Sequence, residues 1–562
     1  MHRDIWQSPY PEGYGTPIEW GTESGLYEFL RRPVSGRQFS DRPAVSCVGT
    51  TLLYRDLWHS VDRLADFLVR EWGIVKGDRV AIMLPNSIQF VVGFLACAKI
   101  GAIISPVNPL YTARELEHQL QDSGAKGILV LDFFQGVLDE CVKQTQIEYV
   151  MSVSLSDYMP FWKKPIFFAI MKREGKVVPT DVSYSFDTYS AVVGKSSPSN
   201  PVRSSVDISL TDTLMLQYTG GTTGRSKGVE LTHQNLIANI KQLQNVVQSS
   251  VRPGRETMLA ALPLYHIFAL NAAFLLMIRQ RAHIALLPKP TPLDKTIKGI
   301  QEYRPTMFVG INTLFNGLNQ REDFQKLKDY PFRCVVAGGM TLQSEVAKEW
   351  YRITGSEIRE GYGLTEASPV THCNLFELPA KAQSIGLPLA STQAKVMDQK
   401  GQEVTPGEKG ELWVKGPQVM KGYWNNPEAT EEVLIDGWLR TGDIAVMDEQ
   451  GWFSIVDRKK DMIIVSGFNV YPTEIEEILV QHPDISEAAV IGVHHKKSGE
   501  TVKAFLVAKP GKTIDLTSVQ QHCEKLLTRY KLPKEWEIRT ELPKSPVGKI
   551  LRKELRKENP EI

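Results

Sequence analysis

Apolar positions along this chain change period in a regular way. Residues 57–72 have helical spacing, 79–84 form a short continuous apolar run, 90–100 return to helical spacing, and 127–131 are again a continuous run. The alternation resumes between 258 and 340, with apolar runs near 282–287, 307–310 and 334–337. Continuous runs separated by helical segments predict buried strands in mostly parallel sheets, the pattern of an α/β fold. From Gly401 the texture changes: GEKGELWVKGP, DGWLRTGDIAV and EQGWFSIVDRKKDMIIVSG interleave glycines with short strand-like runs. That predicts an antiparallel, β-rich segment. After Gly467 the order becomes helix (473–481), strand (487–493), strand (501–508) and helix (517–529). These form a small α+β domain of about one hundred residues. The charged run DRKKD at 457–461 sits at the junction.

Residues 156–205 break the alternation. DYMPFWKKPIFFAIMKREGK mixes aromatics with lysines, and the stretch ends in Ser- and Pro-rich sequence. One reading is a surface insertion packed on its own domain. The other is a basic, aromatic segment resting on a bilayer surface, with Pro165 weighing against a single long helix.

At 562 residues the chain is too long for one ordinary core, so two or more domains are expected. The 65 basic and 64 acidic side chains leave a net charge of +1, which argues against nucleic acid as a partner. The six cysteines are far apart and lack metal-ligand spacing, so they read as reduced thiols of a cytoplasmic protein. The N-terminus shows no signal-peptide pattern, and no apolar run reaches the ~20 residues of a spanning helix; a protein that does not cross the membrane is expected.

The densest chemistry lies in Tyr218–Gly228, YTGGTTGRSKG, with four glycines, three threonines and Lys227. Glycines let backbone N–H groups approach an anion, hydroxyls add donors, and the lysine adds charge. An apolar run (213–217) precedes the loop and a helical pattern (235–246) follows it, so a strand–loop–helix phosphate site is expected. It is not a Walker A loop, because Lys227 follows Ser226 and precedes Gly228. A ligand-free surface loop is the competing reading, disfavoured by the threonines and the preceding buried strand. Alone, the loop indicates nucleotide phosphates and no particular reaction.

Four further runs occur in order: GYGLTEASP (361–369), RTGD (440–443), DRKKD (457–461) and PKSPVGK (543–549). Together with the glycine-rich loop, over essentially the whole chain, they resemble the adenylate-forming acyl-CoA synthetases. DGWLRTGDIAVMDEQGWFSIVDRKK (436–460) is similar to the signature segment of the long-chain fatty acyl-CoA synthetases. Residues 108–125 and LPLYHIFAL (262–270) resemble the bacterial members.

The resemblance implies a large N-terminal domain (1–457) and a small mobile C-terminal domain (458–562). It implies two half-reactions: a long-chain fatty acid and ATP give acyl-AMP and pyrophosphate, then CoA takes the acyl group and AMP leaves. Lys549 is expected to bridge the carboxylate and the α-phosphate, with Thr365 at the α-phosphate. The loop Thr219, Gly220, Gly221, Thr222, Thr223, Gly224 and Lys227 is expected around the β- and γ-phosphates, and Glu366 with Thr219 at Mg²⁺. Tyr362 and the Gly338–Gly339 backbone would enclose adenine, while Asp443 and Arg458 would meet the ribose. The resemblance puts His266, Gly310 and Gly339 at the acyl site, Ser466, Gly467 and Phe468 on the CoA path, and Lys460 at the hinge. It implies an apolar acyl tunnel along 269–277 and 309–314. Peripheral membrane contact through 161–176 and a homodimer are carried as expectations.

This chain departs from the family pattern at two places. Gly220 and Ser226 stand where many members have serine and proline, and neither change removes a charge. Ala269 and Leu270 stand where some long-chain enzymes carry a gating tryptophan, so any gate is built differently. Three alternatives stay open from the sequence: a ligase for medium-chain or aryl acids, an acyl-AMP ligase serving a carrier protein, and a non-catalytic fatty acid binder at a membrane surface.

Overall fold

The structure is a computed structural model. It describes residues 10–559 except 12–13, 15–16, 33–36, 180, 195–205, 220–225, 328–329, 331, 467, 496–498 and 546–547. Two large sheets dominate. The nine-stranded sheet runs in the order Leu387–Pro388, Val370–Cys373, Ile358–Gly363, Cys334–Ala337, Met307–Gly310, Thr257–Ala260, His283–Leu286, Pro43–Cys47, Thr50–Leu53. Its middle, from Ile358–Gly363 to Pro43–Cys47, is parallel, and its edges are antiparallel. The eight-stranded sheet runs Gly422–Tyr423, Lys227–Thr232, Thr213–Thr219, Ile103–Pro106, Arg79–Met83, Gly127–Leu131, Tyr149–Val153, Asp187–Thr188. It is parallel from Thr213–Thr219 onward. Parallel strands are joined by helices that must bury one or both faces. The helix Ile88–Ile100 is apolar all round apart from Gln89 and Lys99, and it is buried along its whole length between strands of both sheets. The helix His233–Val247 likewise touches both sheets. One continuous apolar core therefore runs through the two sheets.

The glycine-rich loop is set differently from the sequence expectation. The segment after it is a strand, Lys227–Thr232, paired antiparallel with Thr213–Thr219 so that Thr219 faces Lys227 and Tyr218 faces Gly228. The segments on either side of the loop are thus paired antiparallel strands, and the helix begins only at His233. The run KGVELT is short, but Val229 and Leu231 are fully buried, and burial makes it a strand. Residues 220–225 themselves lie outside the described residues.

The third sheet is antiparallel and contains Gln393–Met397, Lys409–Lys415, Trp438–Met447, Leu434–Ile435 and Phe453–Arg458. The fourth begins at Ile463–Val465 and contains Phe468–Val470, Gly499–Ala508, Ile485–His495 and, parallel to Gly499–Ala508, Glu535–Arg539. It has its own apolar core around Ile475, Val490 and Leu506. The last strand, Glu535–Arg539, was not expected from the sequence; its alternating charges hide it. The fold is therefore α/β, with a β-rich subdomain and a smaller α+β unit.

In the aberrant stretch, Pro165 starts the helix Lys164–Arg173 rather than breaking it, because proline's missing N–H is harmless in a first turn. Only Phe167 of this helix is buried; Phe161 just before it is 80% exposed, Trp162 61% and Ile166 63%. No helix among the described residues is long and apolar enough to cross a membrane.

Candidate active site

A cavity of about 460 Å3 opens where the large sheets, the third sheet and the segment carrying Lys549 meet. Its mouth is polar, with Thr219, Lys227, Thr365, Glu366, Arg458 and Lys549, and Tyr362, Gly338 and Gly339 form one side. Inward it is apolar, walled by Leu243, Val246 and Val247 of one helix, Ala269, Ala272 and Leu276 of another, Val309 of the strand Met307–Gly310 and Ile311 just past that strand. His266 also lines the cavity.

The polar groups come from separate elements. Thr365 and Glu366 sit on a single 3₁₀ turn, Thr365–Ala367, at the end of the strand Ile358–Gly363. The chain folds back so tightly there that a Cβ on Gly363 would fall 2.1 Å from the Pro369 carbonyl oxygen, so only glycine fits. Tyr423 OH donates to Glu366 Oε1 at 2.8 Å, and Met420 N donates to the Glu366 carbonyl at 2.8 Å. Lys227 Nζ lies 5.0 Å from the centre of the same Tyr423 ring. Tyr423 thus joins the base of the phosphate loop to the acidic turn. Sequence reasoning missed it, because its strand is two residues long and has no periodicity. The helix Ala113–Ser123 flanks the loop on its other side: His118 Nε2 donates to Ser226 O at 3.1 Å, and Tyr218 OH donates to Asp122 Oδ2 at 2.6 Å.

Tyr362 and Asp443 are locked together, with Tyr362 OH donating to Asp443 Oδ2 at 2.5 Å. Arg458 Nε is 2.7 Å from Asp443 Oδ1. Asp443 is buried behind Tyr362 rather than on the cavity wall. A carboxylate has further lone pairs to offer a ligand's hydroxyls.

Lys549 reaches the mouth from the segment just before the helix Arg552–Lys557. Ser545 Oγ accepts from Lys549 N at 3.1 Å, and Gly548 N donates to Ser545 O at 2.7 Å. Gly548 has φ of 80°, in the left-handed region, and its carbonyl accepts from Thr313 Oγ1 at 3.5 Å. A Cβ there would come within 2.8 Å of Ile311 Cδ1 and Thr313 Oγ1. Solvent reaches Lys549 through the cavity, yet the surrounding protein, and then Arg458, hold its ammonium down to about 8. Burial, followed by Arg458, likewise lowers Lys460 to about 8. Burial alone lowers His266 to about 4, so it is neutral at physiological pH.

Not every expected residue reaches the cavity. Gly310 faces the Phe315 ring, which a Cβ would approach to 2.8 Å, and it is not part of the wall. Ser466 and Phe468 belong to the small unit and stand away from the cavity, Phe468 being 56% exposed and stacked on Tyr530. Gly220, Gly221, Thr222, Thr223, Gly224 and Gly467 lie outside the described residues.

Residues 33–424 match the family model described as AMP-binding enzyme, and 474–549 match that of the AMP-binding enzyme C-terminal domain. The chain belongs to the AMP-binding enzyme family. Within the family it is 42% identical to a long-chain-fatty-acid–CoA ligase of Yersinia pestis over 558 residues, 99% of this chain and 98% of the relative. It is 40% identical to the ligase of the same name from Bacillus subtilis, covering 94% and 93% of the two chains. Among solved structures it resembles ATP-bound MatB from Rhodopseudomonas palustris, with a TM-score of 0.79, 28% identity and coverage of 96% and 99%. The family's two modules meet at the cavity: the turn carrying Lys549 ends the second and closes over the first.

Proposed function

We infer that this chain is an ATP-dependent long-chain fatty acid–CoA ligase. Fatty acid and ATP give acyl-AMP and pyrophosphate; acyl-AMP and CoA give acyl-CoA and AMP. The observation that carries this reading is the single cavity, whose cationic mouth leads into an apolar channel. A carboxylate attacking a triphosphate meets charge repulsion, so catalysis consists of neutralisation and positioning. An apolar channel beyond the mouth suits a chain of methylenes.

In this reading Lys549 lies between the carboxylate and the α-phosphate, and Thr365 touches the α-phosphate. The loop from Thr219 to Lys227 holds the β- and γ-phosphates. Tyr362, fixed by Asp443, stacks on adenine against Gly338–Gly339, and Asp443 with Arg458 receives the ribose. Neutral His266 marks the carboxylate end of the acyl channel. Glu366 and Thr219 suit Mg²⁺, because that ion takes one or two protein carboxylates and completes its shell with phosphate and water. Bound with ATP, Mg²⁺ supplies charge neutralisation at the phosphates.

For the second half-reaction, residues 458–562 turn about Lys460. This withdraws Lys549 and brings Ser466, Gly467 and Phe468 to the pantetheine path. Asp457 spans the pivot: its carboxylate accepts from Thr473 N at 2.7 Å and pairs with Arg552 at 3.4 Å. The exposed aromatics of 161–170, among Lys163, Lys164, Lys172 and Arg173, favour a peripheral contact with an anionic bilayer, where the substrate resides.

The test is pyrophosphate release across acids of graded length, with and without CoA. Long-chain acids are expected to give acyl-CoA with the highest kcat/KM. Formation of acyl-AMP without acyl-CoA, or a preference for aryl acids, would overturn the reading.

A further inference from the structure

The helix His233–Val247 carries a row of amides that the reaction described above does not use. Asn235, Asn239 and Gln242 recur at i, i+4 and i+7, so they share one face, and Asn239 and Gln242 are 0% exposed. Burying amides is unfavourable unless each is hydrogen-bonded, so their partners are informative.

The partners surround the Thr365–Ala367 turn. Asn239 holds both backbone groups of Val370: Val370 N donates to Oδ1 at 3.2 Å, and Nδ2 donates to Val370 O at 2.7 Å. Asn271, also fully buried, donates through Nδ2 to Asn239 Oδ1 at 2.8 Å and to Ser368 O at 2.7 Å. From the other side, Asn235 Nδ2 donates to Pro417 O at 2.9 Å and to Val419 O at 2.8 Å. The next residue, Met420, is the one whose N–H holds the Glu366 carbonyl. Gln242 Nε2 closes the network on Thr392 Oγ1 at 3.0 Å and Gln418 Oε1 at 3.0 Å.

The same two helices wall the apolar channel. Leu243, Val246 and Val247 lie beside the amide row on the first. Asn271 belongs to the π-helical turn Leu270–Leu275 of the second, and its near neighbours Ala269, Ala272 and Leu276 line the channel. A π turn inserts a residue into an α-helix and is found mostly where function requires it. Here Asn271 meets Ser368 while the residues around it meet the channel.

We propose that Asn271 and Asn239 are positioning residues that tie the wall of the acyl channel to the Thr365–Glu366 turn, so that the acyl chain and the nucleotide are held in one register. This rests on the acyl-adenylating reading given above. A misplacement of about 1 Å at a reacting group is enough for a large rate loss, and a buried hydrogen-bonded network is a means of preventing it; within it Asn271 Nδ2 is bonded twice, while Asn271 Oδ1 and Ser368 Oγ have no partner among the described residues.

The experiment uses the full chain, with Asn271→Ala and with Thr392→Val, a nearly isosteric change at the far end of the network. Initial rates of pyrophosphate release are measured with hexadecanoate while ATP and acid are each varied. In Asn271→Ala the KM for ATP is expected to rise on the order of tenfold, together with the KM for the acid. Thr392→Val should move both in the same direction by a smaller factor. A rise in the acid KM alone would mean that Asn271 only shapes the channel, and would overturn the proposal. A fall in thermal midpoint with both KM values unchanged would overturn it too. If Asn271→Ala does not fold, Thr392→Val decides by the same criteria. Absence of pyrophosphate release from the unaltered protein with any fatty acid would instead sink the functional reading on which the proposal rests.

Discussion

Lys549 is open to solvent, yet the surrounding protein and then Arg458 hold its ammonium down to about 8. The role proposed for it in the adenylation step requires the charged form. The free enzyme therefore loses that form as pH rises through about 8, and kcat/KM for ATP should fall across the same window. In Lys549→Arg, whose guanidinium stays charged, the alkaline limb should disappear although the rate is lower. Lys460 titrates in the same range, so Lys460→Arg is the control: a limb that survives Lys549→Arg and vanishes in Lys460→Arg would contradict the assignment. At this scale the sequence was legible only through motifs. Lys227, Glu366 and Arg458 were visible as residues in short runs that resemble the family's motifs, and all three line one cavity. Tyr423 and His118 were not visible, because their roles are contacts between distant segments with no local pattern. The resemblance puts Gly310 at the acyl site, whereas in the structure its face is occupied by the Phe315 ring.

At the scale of elements, two short pieces carry distinct predictions. The turn 545–549 seats Lys549 only because Gly548 adopts φ of 80° against Ile311 and Thr313. Gly548→Ala adds about 1–2 kcal/mol of left-handed strain and a side-chain overlap. It should slow pyrophosphate release at least tenfold while leaving the thioester step from supplied acyl-AMP within a few-fold. Equal slowing of both steps would show that the turn matters for the fold rather than for the closed arrangement. The helix Lys164–Arg173 is the second piece. Replacing Phe161 and Trp162 with serine should weaken flotation with anionic vesicles and raise its sensitivity to salt, with activity on dispersed substrate retained. Unchanged flotation would remove this segment from the membrane reading. The strands of the parallel sheets were legible because buried runs such as 307–310 and 334–337 are continuous and apolar. The strand Lys227–Thr232 was not, because six residues between a glycine loop and a helix carry too little pattern. The charge-alternating strand Glu535–Arg539 was hidden for a related reason: its partner, not its composition, makes it a strand.

Across the whole molecule, the change of texture near residues 457–467 foreshadowed the passage from the third sheet to the fourth, since Arg458 ends one and Ile463 begins the other. How the small unit sits on the large one was beyond any local pattern. The contacts that seat it include Thr313 with the Gly548 carbonyl, Asp457 with Arg552 and Thr473, and Lys409 with the Tyr471 ring. In this arrangement Lys549 is at the mouth, and Phe468 is exposed elsewhere. The account therefore assigns the observed arrangement to acyl-AMP formation and requires another for thioester formation. The direct measurement is to assay both half-reactions of Lys549→Ala separately: pyrophosphate release from fatty acid and ATP, and acyl-CoA formation from supplied acyl-AMP and CoA. The account predicts a loss on the order of 10²–10³-fold in the first, with the second preserved within a few-fold. Equal loss in both, or loss in neither, would contradict it.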